Sequence, residues 1–306
     1  MNLTLIQMTL IMACGAVWRF ARPAGLPAEQ TRLVLTTVVY YLLLPAMVLE
    51  VLWSADLGLH SFQYALLGMS SIAFAMLCIW TVGALFKFED RRLGAMILAA
   101  AFPNVTYLGL PVLEQAFGGW ARSVVIQLDL FAVSPLLFTV GIMVARYYGE
   151  EVVEKPRPLW LFFNAPPFWA AVIAVILNVN GFVAPVWLLG VLQKLSVAVV
   201  PLMLFSLGLA LSWKALTVRN IPYVIPVIVI KMVLMPLFAM AMIGFLPING
   251  EYRAAAVLDL AMPCMVLGIV VCDRYRLDSS LYAMAVTVTT AISLITLPFW
   301  HSVLMN

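Results

Sequence analysis

The stretch AFPNVTYLGLP, residues 101–111, decides how this chain is read. It sets Pro103, Asn104, Thr106, Gly109 and Pro111 inside an otherwise apolar segment. A proline withdraws a backbone donor and its ring crowds the carbonyl one turn earlier. In hydrocarbon, each backbone group left without a partner costs several kcal/mol. A helix broken here must find those partners inside the protein.

The surroundings are apolar enough to make this a membrane problem. Of 306 residues, 65% are hydrophobic and only 10% are charged, whereas about a quarter of an average soluble domain is charged. Runs of about 20 apolar residues, the length that crosses a hydrocarbon core, recur along the whole chain. They lie at about 3–18, 33–53, 62–86, 94–113, 123–145, 159–178, 186–212, 220–246, 254–272 and 280–303. The expectation is an all-α polytopic membrane protein with ten spans. The first run has no basic leader and no small-residue cleavage pattern, so it reads as a span and not as a signal peptide. Cys14, Cys78, Cys264 and Cys272 lie in or beside apolar runs without a CxxC spacing, and read as small buried hydrophobes.

Basic residues orient the spans. Arg19, Arg22, Arg32, Lys87, Arg91, Arg92, Arg146, Lys155, Arg157, Lys214, Arg219, Arg274 and Arg276 lie in or beside odd-numbered connections. Only Arg122, Arg253 and Lys194 lie on the other side, and Lys231 lies within a span. This bias makes the odd connections cytoplasmic and places both termini on the non-cytoplasmic side of an inner or plasma membrane. It also accounts for the net charge of +3 without a nucleic-acid partner.

The longest polar connection, RYYGEEVVEKPRP at 146–158, falls near the midpoint. It separates a first five-span half, residues 1–145, from a second, residues 159–306. Halves with an odd number of spans insert in opposite senses, so a repeat here is inverted. Pro45 and Pro103 in the first half correspond to Pro201 and Pro263 in the second, 58 and 62 residues apart. Matched interruptions in inverted halves point to a transporter's binding site. Counting from Arg92, and from Arg253 and Asp273, puts Pro103 and Pro263 roughly 15 Å from either surface. Two breaks crossing there would satisfy part of each other, and their half-helix N-termini would favour an anion.

PNVTYLGLP resembles the fourth-span signature of the auxin efflux carrier family, and AMPCMVLGIVVCDRYRLD resembles that family's second signature. LPAMVLE and VPLMLFSLGLAL extend the likeness along the chain. The resemblance implies two inverted five-helix repeats with broken, crossing helices 4 and 9, as in the bile-acid sodium symporter fold. Helices 1, 2, 6 and 7 would form a scaffold, through which a homodimer would form, and helices 3–5 and 8–10 a moving transport unit. The short central loop resembles that of bacterial-type members, associated with small organic acids, whereas plant members export auxin. Cys264 and Met265 stand where the family often has polar or small residues, so that half of the site is less polar.

Asn104 is the first candidate for contacting a carboxylate, since its amide both donates and accepts. Thr106 and Tyr107 follow within the next turn. Pro103, Pro263, Cys264 and Met265 complete the expected substrate-binding set. Asp129, Lys231 and Asp259 are ionisable groups inside spans, each costing at least a few kcal/mol unless it meets a cavity or partner. They are candidates for coupling to H+ or Na+, or for a Lys–Asp pair that locks the bundle. Glu50 and Glu114, near span ends, are expected to be solvated. No cofactor, metal or catalytic residue is expected, because HExxH, GxSxG and paired acidic motifs are absent and there are only two histidines. The expected function is a secondary transporter of a small organic anion working by elevator-like alternating access. The alternative is a transporter-like sensor that binds the anion without net flux.

Overall fold

In lipid, a helix is the one open segment that satisfies all its own backbone groups, and the described residues are mainly helical. The computed structural model describes residues 2–55, 58–150, 164–210, 216–246, 248 and 250–305. In order these form α1 (Asn2–Ala21), α2 (Ala28–Trp53), α3 (Leu59–Phe86), α4 (Asp90–Ala101), α5 (Leu110–Phe117) and α6 (Ala121–Tyr148). There follow α7 (Pro166–Val179), α8 (Val186–Ala210), α9 (Val218–Ile243), α10 (Gly250–Leu260), α11 (Gly268–Arg274) and α12 (Ser279–Met305). There is no sheet among the described residues, only an isolated antiparallel bridge between Pro103 and Cys264.

Six of these helices, α2, α3, α6, α8, α9 and α12, are long and apolar enough to cross a membrane. The expected fourth and ninth spans are each two short helices on either side of a break, α4 with α5 and α10 with α11. The expected first span is the 20-residue α1, and the sixth is the 14-residue α7. Most of the 146–158 linker lies outside the described residues, and α6 runs through Arg146 to Tyr148. Just beyond it, Arg276 and then Arg91 hold the Glu150 carboxyl below the usual carboxylate range.

The broken passages are the innermost parts of the fold. Every residue from Leu93 to Ala101 in α4, and from Ala254 to Leu260 in α10, is buried. A helix with no exposed face must be wrapped on all sides, and the alanines at 99–101 and 254–256 let its neighbours come close. The rim is different. Trp169, Ile173 and Ile176, spaced at helical intervals along α7, are exposed, as a lipid-facing stripe would be.

Packing falls into two groups. α1, α2, α7 and α8 pack chiefly on one another, while α3–α6 and α9–α12 pack chiefly among themselves. In the first group α1 and α8 meet backbone to backbone at Gly15 and Gly208, where an added Cβ would collide with Phe205 O and Met12 O respectively. Asn178 at the end of α7 donates to Leu52 O, Trp53 O and Ala55 O at 3.1, 2.8 and 2.8 Å. That one amide answers carbonyls left open where α2 ends.

The long helices are not uniform. Wide π turns occupy Val39–Leu43 in α2, Val105–Gly109 before α5, Asp129–Val133 and Leu137–Gly141 in α6, and Ile230–Leu234 in α9. Four of these five turns end two residues before a proline, namely Pro45, Pro111, Pro135 and Pro236. A proline ring clashes with the carbonyl four residues earlier, which in each case lies inside the widened turn. In α9 that carbonyl, Met232 O, accepts from Trp300 Nε1 of α12 at 2.9 Å.

Gly208→Ala tests the α1–α8 contact. The added methyl meets backbone that has no free direction to move, and overpacking of this kind costs about 1–3 kcal/mol. Thermal unfolding of purified protein in detergent should shift downward, whereas Gly190→Ala, with nothing within 4 Å of its Cβ, should leave the midpoint near wild type.

Candidate functional site

The crossing is made by backbone. Asn104 N–H donates to Pro263 O at 2.8 Å, and Met265 N–H donates to Phe102 O at 3.0 Å. This two-bond antiparallel exchange joins residues 102–104 to residues 263–265. Each break supplies both a donor and an acceptor to the other, so backbone freed by one is met by the other. The remaining groups are met by neighbouring helices. Thr289 Oγ1 of α12 accepts from Cys264 N–H at 3.2 Å, and Tyr282 of the same helix donates its hydroxyl to Met265 O at 2.8 Å. On the other break, Lys231 Nζ of α9 donates to Ala101 O at 3.4 Å and also contacts Met235 Sδ at 3.2 Å. Asn104 O accepts from Leu108 N–H and Gly109 N–H, at 3.2 and 3.0 Å, which starts the π turn leading into α5.

Two side chains at this crossing stay unsatisfied. The Asn104 side chain is fully buried, and neither its Nδ2 nor its Oδ1 has a hydrogen-bond partner. The Asp259 carboxylate is also fully buried, and neither oxygen has a partner. Buried polar atoms of this kind cost about 1–3 kcal/mol each, and more when charged.

Asp129 and Asp259 both abut the π turn Val105–Gly109. Thr106 Oγ1 donates to Asp129 Oδ2, and Ser134 Oγ donates to Asp129 Oδ1 at 2.7 Å. Asp259 Oδ1 lies against Gly109, in the space a Cβ would occupy. The glycine therefore makes room for a carboxylate. Tyr107, on the same turn, is partly buried and packs against the apolar core.

The structure thus gathers Pro103, Asn104, Thr106, Pro263, Cys264 and Met265 into one place, with Asp129, Asp259 and Lys231 around it. Cys264 and Met265 take part through backbone amides and a carbonyl. Lys231 differs from the locking pair: among the described residues its ammonium has no ion pair, and a helix-end carbonyl is its acceptor. Glu50 and Glu114 depart from the solvated state expected of them. Arg122 pairs with Glu114 and lies 3.9 Å from Glu50, and the two carboxylate side chains are only 23% and 15% exposed. The Arg122–Glu114 contact follows from the turn at Gly118–Gly119, which brings α6 back alongside α5, while Glu50 approaches from the end of α2.

Tyr282, Thr289 and Ser134 are site residues that sequence reasoning passed over. The signal was present as hydroxyls in apolar helices, VTVTT at 286–290 above all, since such groups in a span need a partner.

A central, doubly broken helix pair with an unsatisfied amide between its halves is the kind of site found in transporters, and comparison with known proteins agrees. The model of the membrane transport protein family matches residues 3–301, and the chain belongs to that family. An uncharacterized transporter of Methanocaldococcus jannaschii is 27% identical over 320 residues, covering 100% of this chain and 99% of the relative. A second, from Methanothermobacter thermautotrophicus, is 27% identical across 98% of this chain and 97% of its own. The uncharacterized transporter YfdV of Escherichia coli is 24% identical over 70% of this chain and 69% of its own. The resemblance to auxin efflux carriers therefore holds along the whole chain, and the protein is a multi-pass membrane transporter of that family.

The contact between Gly109 and Asp259 gives a two-residue test. Gly109→Ala should lower the unfolding midpoint in detergent, because its methyl and the carboxylate claim the same space. Asp259→Ala in the same chain should restore most of the loss, with a coupling of about 0.5–3 kcal/mol across the double-mutant cycle. Additive effects would mean that the two residues do not touch.

Proposed function

We propose that this chain is a secondary transporter that carries a small organic anion across the cell membrane by elevator-like alternating access. The substrate would be a carboxylate, such as a dicarboxylate or an auxin-like acid. The observation that carries this reading is the Asn104 amide, buried at the crossing with every hydrogen-bonding position unfilled. A carboxylate accepts from the amide Nδ2, and the N-terminal end of the half-helix that begins at Val105 adds partial positive charge.

In this reading the chain crosses the membrane ten times, in two inverted halves of five, with α4–α5 as the fourth passage and α10–α11 as the ninth. The group formed by α1, α2, α7 and α8 is the scaffold, and α3–α6 with α9–α12 move as the transport unit. The separation of packing into those two groups supports this division. The basic bias of the odd connections supports cytoplasmic loops there and both termini outside.

The anion's charge must also cross the midplane. Asp259 and Asp129, both against the π turn, are the groups that would take up a proton or a sodium ion with the substrate. Asp259 is the stronger candidate, since Asp129 already accepts from Thr106 and Ser134. Lys231 serves the site by holding the end of α4 in position.

Two outcomes are expected. Asn104→Ala should weaken substrate binding by about 1.5–3 kcal/mol, the range for a hydrogen bond to a charged group, measured by thermal-shift titration with dicarboxylates and aromatic acids. Unchanged binding and flux would place the site elsewhere, and wild-type binding without flux in proteoliposomes would make the protein a sensor. Separately, Asp259→Asn should fold and bind substrate yet lose its response to imposed pH or sodium gradients. If wild-type flux ignores both gradients and follows membrane potential alone, the protein is a uniporter and coupling through Asp259 is excluded.

A further inference from the structure

A cavity of about 530 Å³ opens at one end of the bundle, where α2 ends and α3, α6 and α10 begin. Glu50, Tyr64, Trp120, Arg122, Gln127 and Tyr252 are the wall residues that matter. No residue of the crossing, 102–106 or 261–266, is among its walls. The volume is ample for a small organic ligand.

The charged cluster at its edge does not cancel. Glu50 and Arg122 lie on the wall together with a neutral His60. Glu114, which is not itself a wall residue, also pairs with Arg122, so the cluster sets two carboxylates against one guanidinium and carries a net charge of −1. Hydrogen bonding is unbalanced in the same sense. Glu50 Oε2, Glu114 Oε2 and Gln127 Oε1 are buried acceptors without a partner, against a single leftover donor, Arg122 Nε. Gln127 is only 3% exposed, and its Nε2 is already committed to Ser123 Oγ at 2.8 Å. The apolar walls are aromatic. Trp120 and Tyr252 lie with ring centroids 4.5 Å apart, and Tyr64 stands on α3 nearby.

We propose that this cavity is a binding site for a small organic monocation, a primary or secondary ammonium on an aryl or alkyl group. Its N–H donors bond to the partly exposed Glu50 carboxylate, and its single charge cancels the excess. The aromatic faces attract the cation and cover its apolar part. An anion is disfavoured, because Arg122, the one Lys or Arg among the described wall residues, already faces two carboxylates. A bare metal ion is disfavoured as well, since no group of three His, Cys, Asp or Glu side chains suited to a metal occurs among the described residues. Glu50 stands on α2 and the other walls on α3, α6 and α10. An occupant therefore bridges the two packing groups. The site is independent of the carboxylate reading of the crossing.

The test uses purified full-length protein in detergent and three probes on one skeleton: 2-phenylethylammonium, its N,N,N-trimethyl analogue and 3-phenylpropionate. The expected result is saturable, single-site binding of 2-phenylethylammonium by calorimetry. The trimethyl analogue, which lacks N–H donors, should bind about tenfold more weakly, as loss of a charge-assisted hydrogen bond implies. Glu50→Gln should weaken the amine to a similar degree. Tyr252→Ala changes a residue that is 53% exposed, so it keeps the fold and carries the test if Glu50→Gln does not express. Absence of saturable amine binding would overturn the proposal. So would amine affinity unchanged in the variants, or displacement of the amine by 3-phenylpropionate.

Discussion

Two backbone hydrogen bonds, exchanged between Phe102–Asn104 and Pro263–Met265, are the constraint on which the rest of the molecule depends. Without them both broken helices would leave buried amides and carbonyls unpaired, at about 1–3 kcal/mol each. With them, two interruptions that would be ruinous singly become a pair. The burial of α4 and α10 on every face follows from the same requirement, since irregular backbone at this depth survives only inside protein. The long helices around them bury the crossing, and Thr289, Tyr282 and Lys231 reach in to Cys264 N–H, Met265 O and Ala101 O.

The same economy explains the widened turns. A proline within a membrane helix displaces the carbonyl four residues earlier, and a π turn gives that carbonyl somewhere to go. In this chain the turns before Pro111, Pro135 and Pro236 also contain Thr106, Asp129 and Lys231. The backbone distortion and the polar side chain therefore coincide three times. An extra residue in a helical turn rotates everything beyond it, so each proline helps to set the direction in which a polar group near the crossing points.

Much of this was legible in the sequence, for physical reasons that can be named. The membrane class followed from hydropathy, and the two breaks from prolines at matched places in the two halves. Asn104 stood out because an amide beside a helix break has few bland explanations. What escaped was the pairing of groups far apart in sequence. Glu50 and Glu114 looked like ordinary span-end carboxylates, and only the fold brings Arg122 between them. Lys231 looked like a partner for an aspartate, yet its acceptor is a main-chain carbonyl, which no residue type announces. Gly109 makes space for the Asp259 carboxylate, a partner 150 residues away in the chain. The π turns could have been read from the prolines, but periodicity alone does not distinguish a widened turn from a regular one.

The bonds that hold the crossing run from main-chain donors to main-chain acceptors. They impose a shape on residues 102–104 and 263–265 while making little demand on most of the side chains there. Specificity and architecture are therefore written in different atoms. A lineage can exchange the groups that project from this junction, and with them the cargo it recognises, without renegotiating the scaffold that presents them. The same geometry would serve chemically unrelated substrates, and kinship in fold would say little about diet.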